Sequence, residues 1–246
     1  MRLLLANPNT SQAVTDMAAA AARAAAGDGT EIRPATACFG ARVIGSRAEL
    51  AVAEHASLDL IASEAAGCDA VIVAASTDSG LRAAREMLAV PVLGLTESAL
   101  HVACLTGGRF ATVTLSRRSG HLLREMIDGY GFAARCCAQH VVDATPMQLL
   151  ERPDEVAEMI AAAAAATVDA DVIVLVGAVM AAMPARIQAR VPVPVVEGVS
   201  CAVALAEALV RLRLPKATAG SYAALPARAT VGLGEALAER LQGVPG

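Results

Sequence analysis

Apolar runs of strand length alternate with longer stretches in which apolar positions recur about every 3.6 residues. The apolar runs are Leu3 to Ala6, Ala70 to Ala74, Pro91 to Leu95, Phe110 to Leu115, Val172 to Val176 and Val193 to Val196. They are continuous rather than alternating, which is the pattern of strands buried on both faces of a parallel sheet. The amphipathic stretches, Ser11 to Ala25, Arg47 to Ala65, Gly80 to Leu88, Arg117 to Tyr130, Pro153 to Val168 and Val199 to Arg213, predict helices. Strand and helix in alternation predict βαβ units and an α/β fold.

Two segments echo one another. Asp69-Ala70-Val71-Ile72-Val73 leads through a polar turn to Val90-Pro91-Val92, and Asp171-Val172-Ile173-Val174-Leu175 leads through Gly177-Ala178 to Val193-Pro194-Val195. This predicts two pseudo-symmetric lobes, each a mostly parallel sheet flanked by helices, with residues 1–95 and 205–246 in the first and 96–204 in the second. A cleft between them is the expected site, because ligands of open α/β sheets bind outside the carboxyl ends of the strands.

Composition narrows the function. The chain has 246 residues, a net charge of −4, and only two Tyr, three Phe and no Trp. A nucleic-acid partner calls for basic stripes and stacking rings, so none is expected. No apolar stretch is long enough to span a bilayer, so no membrane partner is expected either. The start of the chain, Met1-Arg2-Leu3-Leu4-Leu5-Ala6-Asn7-Pro8, reads as a first strand and not as a signal peptide. Cys38, Cys68, Cys104, Cys136, Cys137 and Cys201 are dispersed without ligand spacing, which predicts a cytoplasmic chain with neither a disulfide framework nor a metal site. Gly-x-Gly-x-x-Gly and P-loop fingerprints are missing, so no nucleotide cofactor is expected. An Ala/Val-rich helical surface makes a homo-oligomer the expected state.

Polar residues cluster after three of the apolar runs. Asn7-Pro8-Asn9-Thr10-Ser11 offers carboxamides, hydroxyls and a helix N-terminus, suited to a carboxylate or an imide ring or simply to capping. Ser76-Thr77-Asp78-Ser79-Gly80 offers adjacent hydroxyls that can hold an enediolate, with Asp78 or Ser79 as the capping alternative. Gly177-Ala178-Val179-Met180 offers backbone amides and close access but no proton carrier. Thr112, Thr114 and Ser116 alternate and so point one way, toward the cleft or into the sheet.

These segments, with Asp78-Ser79-Gly80-Leu81 followed by Ala83-Ala84-Arg85-Glu86, Thr112-Val113-Thr114, and Asp171-Val172-Ile173-Val174-Leu175 before Gly177-Ala178, resemble in order the aspartate/glutamate/hydantoin racemase superfamily. The resemblance implies two α/β lobes, no cofactor, and a small carboxylate or cyclic amide as substrate. It also implies two cysteines acting as base and acid on opposite faces of the α-carbon. The first precedes by three residues the Asp of an Asp-Pro-Gly-Leu-like motif, where this chain has Ala75, and the motif's Pro is Ser79. The second lies in a Gly-Cys-Ala-like loop, where this chain has Gly177. Neither a methyl group nor a hydrogen exchanges protons. Ala75-Ser76-Thr77 also resembles the related arylmalonate decarboxylases, which carry a small residue followed by two hydroxyls, but Gly177 departs from the cysteine those enzymes keep.

The expected function is therefore a cofactor-independent racemase or isomerase not using two cysteines. The alternatives are a decarboxylase, lyase or hydrolase in the same pocket, or a non-catalytic carboxylate binder. Ser76, Thr77 and Asp78 are the candidate catalytic residues; Asn9, Thr10, Thr114, Gly177 and Ala178 are the candidate substrate-binding residues. Asp78, Glu197, His101 and water are the candidate proton carriers.

Overall fold

The computed structural model describes residues 1–223 and 227–242; within the expected first lobe, residues 224–226 and 243–246 lie outside it. The elements run β1 (Arg2–Asn7), α1 (Gln12–Ala25), β2 (Glu31–Thr36), α2 (Arg47–Glu64), β3 (Ala70–Val73), α3 (Leu81–Met87), β4 (Val92–Gly94), α4 (Leu95–Thr106) and β5 (Phe110–Leu115). They continue with α5 (Arg117–Gly129), β6 (Cys136–Val142), α6 (Pro146–Glu151), α7 (Pro153–Ala165), β7 (Val172–Val176), α8 (Met183–Ile187), β8 (Val195–Glu197), α9 (Gly198–Leu212) and α10 (Glu235–Leu241). The strands form two four-stranded parallel sheets of identical plan, β2-β1-β3-β4 and β6-β5-β7-β8. The two lobes and their internal repeat are thus present.

The continuous apolar runs form the inner strands because both of their faces are covered. In β1, Leu3 and Leu5 pack against Ala18, Ala19 and Ala22 of α1 and Ala202, Val203 and Ala206 of α9, while Leu4 and Ala6 pack against Ile61 of α2 and Leu81 and Ala84 of α3. The second sheet repeats this plan. Ala111, Val113 and Leu115 of β5 face Val156, Ile160 and Ala164 of α7, and Phe110 faces Ala99, Leu100 and Ala103 of α4 and Leu123 and Ile127 of α5. Burying one such aliphatic side chain contributes roughly 1.5–3 kcal/mol, so these double-sided strands fix the fold.

The helices α4 and α9 join the lobes. Leu95 at the start of α4 belongs to the first lobe's core, and the residues that follow belong to the second's. In α9, Val199, Ala202, Val203 and Ala206 enter the first core while Cys201 enters the second. Glu207, near the end of α9, accepts hydrogen bonds from Gly27 N and Thr30 Oγ1 at 2.9 and 2.5 Å, stapling that helix to the first lobe. The expected boundary between 204 and 205 falls within α9, whose buried residues reach both cores.

Candidate active site

A cavity of about 190 Å3 opens between the lobes at the carboxyl ends of β1, β3, β5 and β7. Asn9 follows β1, Ala74 to Thr77 follow β3, Thr114 and Ser116 end β5, and Val176 to Val179 end β7. Of the expected site residues, Asn9, Ser76, Thr77, Thr114, Gly177 and Ala178 line this cavity together.

Each hydroxyl or amide is held in place by the loop that carries it. Asn9 Oδ1 accepts from Asn7 Nδ2 at 3.0 Å and from Ser11 N at 2.9 Å, so both donors sit on the oxygen and the Nδ2 of Asn9 is left to face a ligand. Asn7 Nδ2 also donates to Thr15 Oγ1 at 2.9 Å, which ties the loop to α1. The Ser76 carbonyl accepts from Thr96 Oγ1 at 2.7 Å, anchoring the β3 loop on α4. Thr77 and Ser79 share a hydroxyl pair at 2.7 Å, and Thr114 Oγ1 donates to the Val176 carbonyl at 3.3 Å, bridging β5 and β7. Gly177 has φ 143° and ψ 131°, a backbone that L side chains rarely adopt. Its backbone, with no side chain, forms that part of the wall.

Asp78 has a different position from the one its sequence context suggests. It is buried with a positive φ of 44°, and it does not line the cleft. Its carboxylate accepts from Thr96 N at 3.0 Å, Glu97 N at 2.9 Å and the Tyr130 hydroxyl at 2.9 Å, so it caps the first turn of α4 and ties α5 to it. A Cβ on Gly94 would lie 2.3 Å from Asp78 Cγ, which shows how closely the cap is enclosed. Burial raises the Asp78 carboxyl to about 7 despite the three donors. The Tyr130 hydroxyl is pushed up as well, by burial and by the Asp78 charge.

The remaining candidates also lie off the wall. Thr10 donates its backbone N–H to the Ala41 carbonyl at 3.1 Å and so anchors the loop that borders the cavity. Thr112 is fully buried with its Oγ1 unpartnered. Glu197 caps α9 through Val199 N and Ser200 N, with its carboxyl raised by burial. His101 is exposed on α4, edge-on to the Phe132 ring. None of the six cysteines lines the cavity; Cys201 is buried and burial pushes its thiol up to about 12. The wall as described therefore carries hydroxyls, amides, apolar groups and two arginines but no thiol, imidazole or carboxyl.

Two arginines were not singled out by the sequence. Arg42, in the loop before α2, and Arg118, in the first turn of α5, border the cavity with Ser116 and Ser119. Ser116, at φ 63°, pairs its hydroxyl with Ser119 at 3.0 Å and turns the chain into α5. The Arg117-Arg118 pair directly after an apolar strand was the available signal. Among the described residues, no group of three or more His, Cys, Asp or Glu side chains converges on a metal site, and no helix is long and apolar enough to cross a membrane.

With this geometry in view, residues 3–206 match the family model described as Asp/Glu/hydantoin racemase. The chain belongs to that family. Among its relatives, the hydantoin racemase of Pseudomonas sp. (strain NS671) is 32% identical over 86% of this chain and 87% of that protein. The hydantoin racemase of Paenarthrobacter aurescens is 30% identical over 90% of this chain and 96% of that one. The solved allantoin racemase from Klebsiella pneumoniae superposes with a TM-score of 0.90 at 33% identity, covering 96% of this chain and 98% of the other. Arylmalonate decarboxylase superposes at 0.62 with 14% identity, covering 85% of this chain and 92% of the other, a likeness of fold alone. Within the racemase fold of this chain, the two inward-facing loops after β3 and β7 are thus built from Ala75, Ser76 and Thr77 on one side and Gly177 and Ala178 on the other.

Proposed function

We propose that this racemase-family chain is an enzyme that acts, without a cofactor, at a carbon next to a carboxylate or cyclic amide carbonyl, and that it does so without a pair of opposed thiols. The observation that supports the reading is the composition of the cavity wall: Ala75 and Gly177, the positions the resemblance assigns to the two cysteines, line it together with the hydroxyl residues Ser76, Thr77 and Thr114. The hydantoin and allantoin racemases among the relatives make a cyclic ureide or an amino acid derivative the natural substrate class.

In such a reaction the carbon loses a proton or a carboxyl group, and the electron pair delocalises onto the adjacent carbonyl oxygen. In this reading the hydroxyls of Ser76 and Thr77, which line the cavity, donate to that oxygen, Asn9 Nδ2 orients the substrate, and the glycine backbone at Gly177 lets it approach closely. Preorganised donors of this kind stabilise developing charge without reorganising at the moment of reaction. Asp78, Glu197 and His101 lie away from the wall, so in this reading hydroxide from the solvent admitted to the cavity takes the α-proton and becomes water, and a water on the opposite face returns a proton and regenerates hydroxide. Decarboxylation is the second reading, favoured because a wall without a base suits a reaction whose first step needs none.

Proton NMR in D2O with enantiopure hydantoins, allantoin, amino acids and substituted malonates tests both readings. Exchange or inversion at the α-carbon supports the first, and release of CO2 without exchange of the intact substrate supports the second. Neither reaction with any of these substrates would leave the enzyme reading without support.

A further inference from the structure

We infer that Arg42 and Arg118 form a carboxylate-recognising rim on this cavity, so that among amino acid derivatives and cyclic ureides it prefers those that carry a free carboxylate over their neutral counterparts; the inference rests on the reading of this cavity as the substrate site. The cavity is bordered by two arginines and no acidic residue, in a chain whose net charge is −4. Neither guanidinium is spent on the protein, since among the described residues the ion pairs are made by other arginines: Arg2, Arg33, Arg47, Arg85, Arg152, Arg186, Arg190 and Arg211. Glu49 feels the charge of Arg118 without pairing with it; its carboxylate accepts from Gly45 N at 2.9 Å and Ser46 Oγ at 2.9 Å.

The two cations come from different lobes. Arg42 precedes α2, on a loop pinned by the bond from Thr10 N to the Ala41 carbonyl, and Arg118 sits in the first turn of α5, where the hydroxyls of Ser116 and Ser119 lie beside it. The planar guanidinium fork matches a carboxylate, and a charge-assisted bond to it is roughly twice as strong as a neutral one. Arg118 also borders a neighbouring hollow with Arg47 and His121, and Arg47 there is engaged by Glu125. An unpaired positive rim on a negatively charged protein focuses small anions toward the cleft.

Isothermal titration of the full chain with hydantoin-5-acetate and with its neutral counterpart hydantoin-5-acetamide tests the inference without requiring turnover. We expect the acid to bind at least tenfold more tightly at low salt and the gap to narrow in 0.5 M salt, since exposed charges are screened within a few ångströms there. Arg42→Gln and Arg118→Gln should each reduce the preference severalfold while leaving the amide's affinity and the thermal midpoint unchanged. Equal affinity for acid and amide, a preference that survives in both variants, no binding of either probe, or inorganic phosphate binding as tightly as the acid would each overturn it. A clear preference for the acid in a protein that catalyses no exchange or decarboxylation would sink the enzyme reading and leave this one standing.

Discussion

Replacing Asp78 with alanine separates a structural carboxylate from a reacting one. The substitution removes the acceptor of three buried donors, Thr96 N, Glu97 N and the Tyr130 hydroxyl. Each donor left unsatisfied costs on the order of 1–3 kcal/mol, and partial relaxation around the small cavity brings the expected loss to about 3–5 kcal/mol at pH 5. For a chain of this size each kcal/mol lowers the midpoint by roughly 2–4 °C, so a fall of roughly 6–20 °C is expected. The loss also depends on pH in a defined direction. The folded carboxyl titrates at about 7 and the unfolded one near 3.9, so between these values the folded chain holds a proton that the unfolded chain has released. The stability contributed by the protonated group is complete below about pH 4 and is lost as pH rises through 7. At about 1.4 kcal/mol per pH unit, the wild-type protein loses up to about 3 kcal/mol between pH 5 and pH 8, whereas Asp78→Ala has nothing there to lose. Urea denaturation of both proteins at the two pH values measures the gap. A gap that widens with pH, or a variant with unchanged stability but no turnover, would refute the placement of Asp78 as a buried cap.

Two further substitutions probe the wall itself. Gly177→Cys meets ordinary van der Waals contacts, with Met180 Cγ 3.7 Å and Val179 Cγ2 3.8 Å from the added Cβ, but its φ of 143° imposes a backbone cost of about 1–3 kcal/mol, whereas Ala75→Cys, with no such backbone, should cost less; thermal midpoints of the two variants compare them. The Ser76→Ala/Thr77→Ala protein should keep its fold and lose roughly 100- to 1,000-fold in turnover, read from progress curves of whichever reaction the NMR survey identifies.

The inner architecture was legible because β1, β3 and β7 are almost wholly apolar on both faces and β5 adds only two threonines to such a run, a pattern that survives without tertiary information. Of the four edge strands, β2 and β6 were not. β2 carries Glu31, Arg33 and Pro34 and β6 is half-buried along most of its length, so neither shows a continuous apolar run. The helix α4 was missed for a related reason: it starts directly on the end of β4 with no local cap, and its cap is Asp78, far away in sequence. The same fact misdirected the reading of Asp78, whose polar neighbours Ser76 and Thr77 do face the cleft while its own carboxylate turns to α4. Arg42 and Arg118 come from different lobes and border one cavity only in the folded chain, and no spacing along the sequence encodes that.

The central claim is carbanion chemistry in this cavity without a participating thiol. It is tested most directly by following α-proton exchange in D2O before and after alkylating the accessible cysteines of the native protein, with the modified residues mapped by mass spectrometry. Exchange that continues at the unmodified rate with Cys38, the exposed cysteine, fully alkylated is the predicted result. Exchange that disappears in proportion to alkylation would contradict the account, because it would place a reactive thiol at the reacting carbon.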